Sequence, residues 1–303
     1  MINIKTIQFM RLRKVSYVLA ILVFLGSIAS LAVKQLNLGL DFTGGALVEL
    51  NYSDTADLDA VRDLLHSAGW EDATVQNFGA STDVLIRLAS DDAELGNKIA
   101  QLVKREDGGE VSVKRVEFIG PQVGEELRDQ GGLGMLMALA GILVYVGLRF
   151  QLKFAVGALA ALLHDVVFVL GVFSFFGLPF DLTVLAAVLA VIGYSLNDTI
   201  VVFDRVRENL RLMRSSNLEH VINVSTTQTL ARTLATSFTT LLVLFALYLL
   251  GGESIRGFAL ALIIGIVVGT YSSIYISNSV LMSLKLTRED LIPAQLEEID
   301  ERP

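Results

Sequence analysis

Residues 182–203 read LTVLAAVLAVIGYSLNDTIVVF, and the reading of this stretch decides the architecture. It contains no Lys or Arg and a single carboxylate, Asp198. At about 1.5 Å per residue it is long enough to cross roughly 30 Å of hydrocarbon. A backbone inside lipid satisfies its own polar groups as a helix, so the stretch predicts a membrane span. Five more such runs lie outward from it, near 15–33, 131–149, 154–176, 232–250 and 257–283. Composition agrees: 53% of the 303 residues are apolar and the mean hydropathy is +0.59, too greasy for a soluble domain. The run at 15–33 follows Arg11, Arg13 and Lys14 and has small residues at Ser27 and Ala29, as a cleaved signal would. Its length and the five spans after it predict that it is retained.

The net charge of −8 is unevenly spread, because residues 34–130 hold 19 Asp/Glu against 9 Lys/Arg. An acidic segment of that size between apolar runs reads as a solvated domain outside the membrane, not as a nucleic-acid binder, which needs a basic face. Basic residues cluster at Lys5, Arg11, Arg13 and Lys14, at Arg149 and Lys153, and at Arg205, Arg207, Arg211 and Arg214; of the opposite hairpins, 177–181 has none and 251–256 only Arg256. Both termini are therefore expected in the cytoplasm and the acidic domain outside. With no cysteine in the chain, a disulfide framework, a thiol nucleophile and Cys-ligated metal are excluded.

Inside the acidic segment, alternation and helical periodicity give strands at 46–52, 73–78, 83–88 and 111–119 and helices at 57–68 and near 91–105. The order β-α-β-β-α-β is a split, ferredoxin-like arrangement. Val206, Leu210 and Met213 share a helical face with arginines around them, which predicts a helix lying on the cytoplasmic headgroups. The acidic tail 287–303 carries no periodicity and is assigned no structure.

Ionisable side chains within spans are few, and each costs at least roughly 2.5–3.5 kcal/mol to bury. His164 and Asp165 lie midway along the third span, Asp198 six residues inside Asp204 in the fourth, and Arg232 opens the fifth. The hairpin between those two spans can bring Asp198 and Arg232 to one depth, where the guanidinium favours a charged carboxylate and loss of water disfavours it. Such a balance can work as a proton switch; a static pair, or an arginine snorkelling to phosphates, explains the same residues. Tyr194, Ser195, Asn197 and Thr199 add the polar groups a hydrated path requires. His164 and Asp165 are secondary candidates for that path, with an interhelical packing contact as the competing explanation. His66 and His220 read as surface residues, and no metal site is expected. Gly257, Ala261, Gly265 and Gly269 form a small-residue stripe for close helix contact, within this bundle or with a partner. Asp41-Phe42-Thr43-Gly44-Gly45 reads as a flexible turn into the first strand.

From about residue 12 to 286 the chain resembles the SecF branch of the SecD/SecF protein-export family. The resemblance rests on Asp41-Phe42-Thr43-Gly44-Gly45, Ile119-Gly120-Pro121-Gln122-Val123-Gly124, His164-Asp165-Val166, the run from Gly193 to Arg205, Gln228-Thr229-Leu230-Ala231-Arg232-Thr233 and Gly269-Thr270-Tyr271-Ser272-Ser273-Ile274. Phe42 and the modest outer domain favour SecF over SecD. The resemblance implies a polytopic α-helical membrane protein of the bacterial inner membrane with six transmembrane helices and one periplasmic α+β ferredoxin-like domain between the first two. Its parts would be 1–14 cytoplasmic, 15–33 the first span, 34–130 periplasmic, 131–283 a five-helix bundle with an amphipathic hairpin at 204–230, and 284–303 a cytoplasmic tail. It further implies a non-enzymatic subunit, similar in build to RND transporters, that uses the proton gradient with SecD to draw out unfolded preproteins delivered by SecA and SecYEG, with YajC and YidC as further companions. Protons are the coupling ion and no other cofactor is implied; Asp198 and Arg232 fall on the family's proton-pathway positions. Membrane lipid surrounds the chain and nucleic acid is not a partner.

Three other readings compete. An RND-type small-molecule exporter would need larger outer domains than about 95 residues. An intramembrane serine protease, suggested by Gly193-Tyr194-Ser195 in the fourth span, lacks a histidine base in the sixth, and Asn197 stands where a glycine would help the turn. A structural scaffold would be indifferent to charge-neutral changes in its spans.

Overall fold

Alternating and helical periodicities separate into two bodies, an α/β unit and a helical bundle whose ends meet it. The computed structural model describes residues 6–90, 92–106, 111–213 and 217–291. Lys5, Arg214 and residues 292–303 of the tail, used in the expectations above, lie outside the described residues.

Among the described residues six helical stretches are long and apolar enough to cross a membrane: Phe9–Val33, Pro121–Arg149, Leu152–Phe176, Leu182–Leu212, Leu218–Leu250 and Glu253–Ser283. A 3-10 turn at Phe9–Leu12 leads into α1 (Arg13–Val33). After β1 (Asn37–Leu38) and the single turn α2 (Leu40–Thr43) comes β2 (Gly45–Tyr52). Then follow α3 (Leu58–Ser67), β3 (Thr74–Phe78), β4 (Ala80–Leu88), α4 (Leu95–Glu106) and β5 (Val111–Ile119). The chain returns through α5 (Pro121–Arg149) and α6 (Leu152–Phe176) to β6 (Pro179–Phe180), then α7 (Leu182–Leu212), α8 (Leu218–Leu250), α9 (Glu253–Ile274) and α10 (Ile276–Ser283).

The helices start where their sequences supply caps. Asp57, Asp181 and Asn217 accept backbone N–H groups at the N-termini of α3, α7 and α8, and Pro121 opens α5. Strands β2 to β5 form one antiparallel sheet in the order β3-β4-β2-β5. Helices α3 and α4 cover one face: Val48, Leu50, Val84 and Ile86 pack there with Val61, Leu65, Ile99 and Val103. The other face sets Leu47 and Leu85 against Leu40, towards the bundle. A second, parallel ladder joins β1 to β6.

Several sequence readings need correction. The strands of the outer unit end at Ile119, and the last residues of the 34–130 segment belong to α5, which begins at Pro121 and runs unbroken into the second apolar run. Among the described residues, 204–212 belong to α7 rather than to a separate helix, and Val206, Leu210 and Met213 pack into the core with Val221 and Ile222 of α8. That apolar face is consumed by the hairpin's own partner, and Asn209 Nδ2 donates to Ser225 Oγ (2.8 Å) and Gln228 Oε1 (2.9 Å) across it. The sixth span is interrupted at Tyr275, which separates α9 from α10. Part of the tail is ordered, since Asp290 accepts Lys153 Nζ at 2.6 Å and Leu291 is buried.

The turn at 41–45 is fixed rather than flexible. Phe42 is buried and stacks on Phe180 with ring centroids 6.0 Å apart. Asp41 Oδ2 accepts the Leu182 N–H at 2.9 Å, at the start of α7. Gly44 has φ +66°, and a Cβ there would lie 2.6 Å from Pro121 Cα; one on Gly124 would lie 2.7 Å from Gly44 N. The two glycine-bearing motifs are thus interlocked, each leaving the room the other's backbone occupies.

Candidate functional site

The middle of α6 carries His164 and Asp165, both buried, Asp165 fully so. Asp165 Oδ2 accepts Ser195 Oγ of α7 at 2.7 Å and Ser272 Oγ of α9 at 2.6 Å, while Oδ1 lies 3.1 Å from His164 Nδ1. One carboxyl therefore ties three helices together in a low-dielectric interior, where such bonds are strong and their loss leaves orphaned groups. The approach is close because the small-residue stripe faces α7. A Cβ on Gly257 would lie 3.0 Å from Val184 Cγ2 and one on Gly269 3.1 Å from Ser195 Cβ; Gly265 abuts Val191, and Ala261 is fully buried. The stripe serves this bundle's own packing.

His164 is sandwiched between Phe24 and Phe168, with centroids 6.5 and 6.3 Å away, and its Nε2 is buried without a partner among the described residues. Towards the α7–α8 hairpin, Thr199 Oγ1 and Ser273 Oγ share a hydrogen bond of 2.8 Å. Asp198 is 2% exposed, and its Oδ2 has no hydrogen-bond partner among the described residues. Arg232, on α8, is exposed; among the described residues its guanidinium makes neither ion pair nor hydrogen bond, and it meets Asp198 only as a charge acting through space. The Asp198–Arg232 pair suggested by the sequence is therefore not closed in this structure. Asn197, the neighbour of Asp198, is exposed on the outer side of α7 and joins none of these contacts.

Sequence reading missed Ser272 as the third arm of the Asp165 cluster. A signal existed: Ser272 stands one turn beyond Gly269, continuing the small-residue face into a hydroxyl. It also missed the N-terminal turn, where the Met10 N–H donates to Asn223 Oδ1 of α8 at 2.9 Å.

The Asp165 cluster yields a stability prediction. Interhelical hydrogen bonds in membranes average about 0.6 kcal/mol and reach about 1.7. Asp165→Leu, which strands two hydroxyls and His164, is expected to destabilise the bundle by about 1–3 kcal/mol; Asp165→Asn, which keeps one acceptor, should lose less. Apparent melting temperatures of the two variants in detergent, compared with the parent, check the ordering.

The family described as "Protein export membrane protein SecD/SecF, C-terminal" matches residues 98–287, and the "SecD/SecF GG Motif" matches residues 29–56. A chain of Pseudomonas aeruginosa named protein translocase subunit SecF is 57% identical, over 100% of this chain and 99% of its own length. One of the same name from Vibrio alginolyticus is 50% identical over 99% of this chain and 98% of its own, and one from Escherichia coli O157:H7 is 42% identical over 97% and 92%. The crystal structure of SecDF, a translocon-associated membrane protein from Thermus thermophilus, superposes with a TM-score of 0.86 at 35% identity, covering 94% of this chain and 40% of that one. A SecDF structure in a super-membrane-facing form gives 0.70 at 35% identity, covering 93% of this chain and 39% of that one. This chain thus spans about two fifths of the solved SecDF molecules.

Proposed function

The chain belongs to the SecD/SecF family of protein export membrane proteins, and from that membership we propose that it is the SecF-like subunit of the Sec preprotein translocase, acting with a SecD-like companion to complete export across the bacterial inner membrane under the proton-motive force. The observation that carries this reading is Asp198, a buried carboxyl with an unpartnered oxygen and an unpaired guanidinium on the next helix. A proton on Asp198 leaves it neutral and indifferent to Arg232. Its loss leaves a bare charge in the helix bundle, which is strongly attracted to the nearest cation. The two protonation states therefore favour two arrangements of α7 and α8. Because Asp41 accepts the first N–H of α7 beside the outer unit, a shift of α7 reaches that unit directly.

The need for a companion is supported by polar groups left on the outside of the bundle at membrane depth. Asn197 and Arg232 are exposed there, and Ala186, Ala190 and Gly193 give α7 a shallow exposed face beside Asn197. A second subunit's helix would cover them, as lipid would not. The distribution of Lys and Arg supports cytoplasmic termini and a periplasmic outer unit, and its strand order supports a ferredoxin-like fold. SecYEG with SecA, YajC and YidC are the further partners of this reading, unfolded preproteins its clients, and protons its coupling ion. Reconstitution with the companion tests it. Completion of precursor export in vesicles is expected to rise with an imposed proton gradient and to collapse with a protonophore; a chain that is stable and active alone contradicts the reading.

A further inference from the structure

Between the open face of the sheet and the outer ends of the bundle lies a cleft of about 670 Å³. We propose that this cleft holds an extended, unfolded stretch of the exported polypeptide, gripped through its main-chain carbonyls. The inference rests on the export reading and adds to it the place where client meets this subunit.

Three arginines line the cleft: Arg87 and Arg115 from the sheet and Arg256 from α9. Among the described residues each has a buried Nε–H that makes no hydrogen bond, although Arg115 Nε lies 3.5 Å from Glu49 Oε2 and the terminal nitrogens of Arg115 and Arg256 pair with Glu117 and Glu253. An unfilled buried donor is costly, so the Nε–H groups of Arg87 and Arg256, with Arg115 held only loosely beside Glu49, mark the cavity as suited to a ligand rich in acceptors. That ligand is not selected for negative charge, because the four carboxylates of Asp41, Glu117, Asp181 and Glu253 line the same space and outnumber the three arginines. Burial pulls the Arg87 guanidinium below the ordinary arginine range, and Asp181 and Asp41 pull it back. An anion such as a lipid phosphate gains little from such a lining. Peptide carbonyls, strong acceptors without net charge, suit it.

The shape points the same way. Gln76, Asn77, Phe78 and Gly79 all line the cleft. Successive side chains of a strand point to opposite faces, so consecutive residues bordering one cavity mean that it runs along the edge of β3. That strand pairs only with β4, which leaves its other edge without a strand neighbour among the described residues. An extended segment can lie along such an edge by strand addition, through backbone bonds that ignore sequence. Leu47, Leu85, Phe173 and Leu260 supply an apolar floor for whatever side chains arrive.

The test uses the complex with its companion in membrane vesicles and a precursor stalled by a folded C-terminal domain. A photo-crosslinking residue is placed at Gln76, within the cleft, and at His66, exposed on the helical side of the sheet. Cross-linking to the stalled precursor at Gln76 is expected to exceed that at His66 at least tenfold, and Arg87→Gln is expected to lower the Gln76 yield several-fold with protease resistance of the outer unit unchanged. Equal yields at the two positions, or Gln76 products with the companion or lipid alone, overturn the proposal. Export by the unsubstituted complex is followed in the same vesicles: gradient-driven export without a precursor cross-link removes the cleft and leaves the export reading, whereas absence of gradient-driven export removes both.

Discussion

Asp198→Asn is expected to reduce gradient-driven export to the level of vesicles lacking the chain, a loss of at least tenfold, while the protein still folds and binds its companion. The substitution preserves shape and volume and removes only the exchangeable proton. Little structure depends on the carboxyl, since its Oδ2 has no hydrogen-bond partner and no cation lies within ion-pairing distance among the described residues. Its effect on stability should stay within about 1 kcal/mol, the scale of ordinary point changes. Asp165→Asn behaves in the opposite way, costing bundle stability because Asp165 is fully bonded to Ser195 and Ser272. Export assayed with and without an imposed gradient, alongside melting of the complex, separates the two. Undiminished gradient-driven export by Asp198→Asn would falsify the switch.

Gly44→Ala is expected to detach the outer unit from the bundle. Two penalties combine: a left-handed backbone at φ +66°, and a Cβ 2.6 Å from Pro121 Cα, which cannot swing away as a flexible side chain could. Strain of this kind costs roughly 1–3 kcal/mol, and overpacking about as much again. Gly69→Ala is the internal comparison, because Gly69 also has positive φ (+88°) but has nothing within 4 Å of the added atom. It should cost only about 1–2 kcal/mol. Limited proteolysis of the outer unit checks the contrast: rapid cleavage in Gly44→Ala and near-parental resistance in Gly69→Ala. Equal resistance would show that the two motifs do not lock the units together.

Much of the architecture was legible because burial in lipid restricts the backbone to few solutions. The spans follow from run length and the outer strands from alternation, down to β5 at Val111–Ile119. The candidate carboxylates were also legible, because a charge within a greasy run stands out whatever surrounds it. Orientation about each helix axis was not. Asn197 and Asp198 are adjacent in sequence, yet one is exposed and the other 2% exposed. Neighbours on a helix point about 100° apart, and only the packing of α7 against α8 and α9 selects which turns inward.

The amino-acid order by itself determined which segments are long and apolar enough to cross a membrane, which stretch forms the α/β unit and which acids lie in the helices, since these depend on local hydrophobicity and period. Tertiary structure alone decided that Asp165 rather than Asp198 is the bonded hub, that Arg232 stands apart from Asp198, that the apolar face of 204–213 serves the hairpin, and that Gly44 locks against Pro121. Each of these is a contact between segments distant in the chain. Its existence depends on the rotation and depth of two elements together, to which the periodicity of either one is blind.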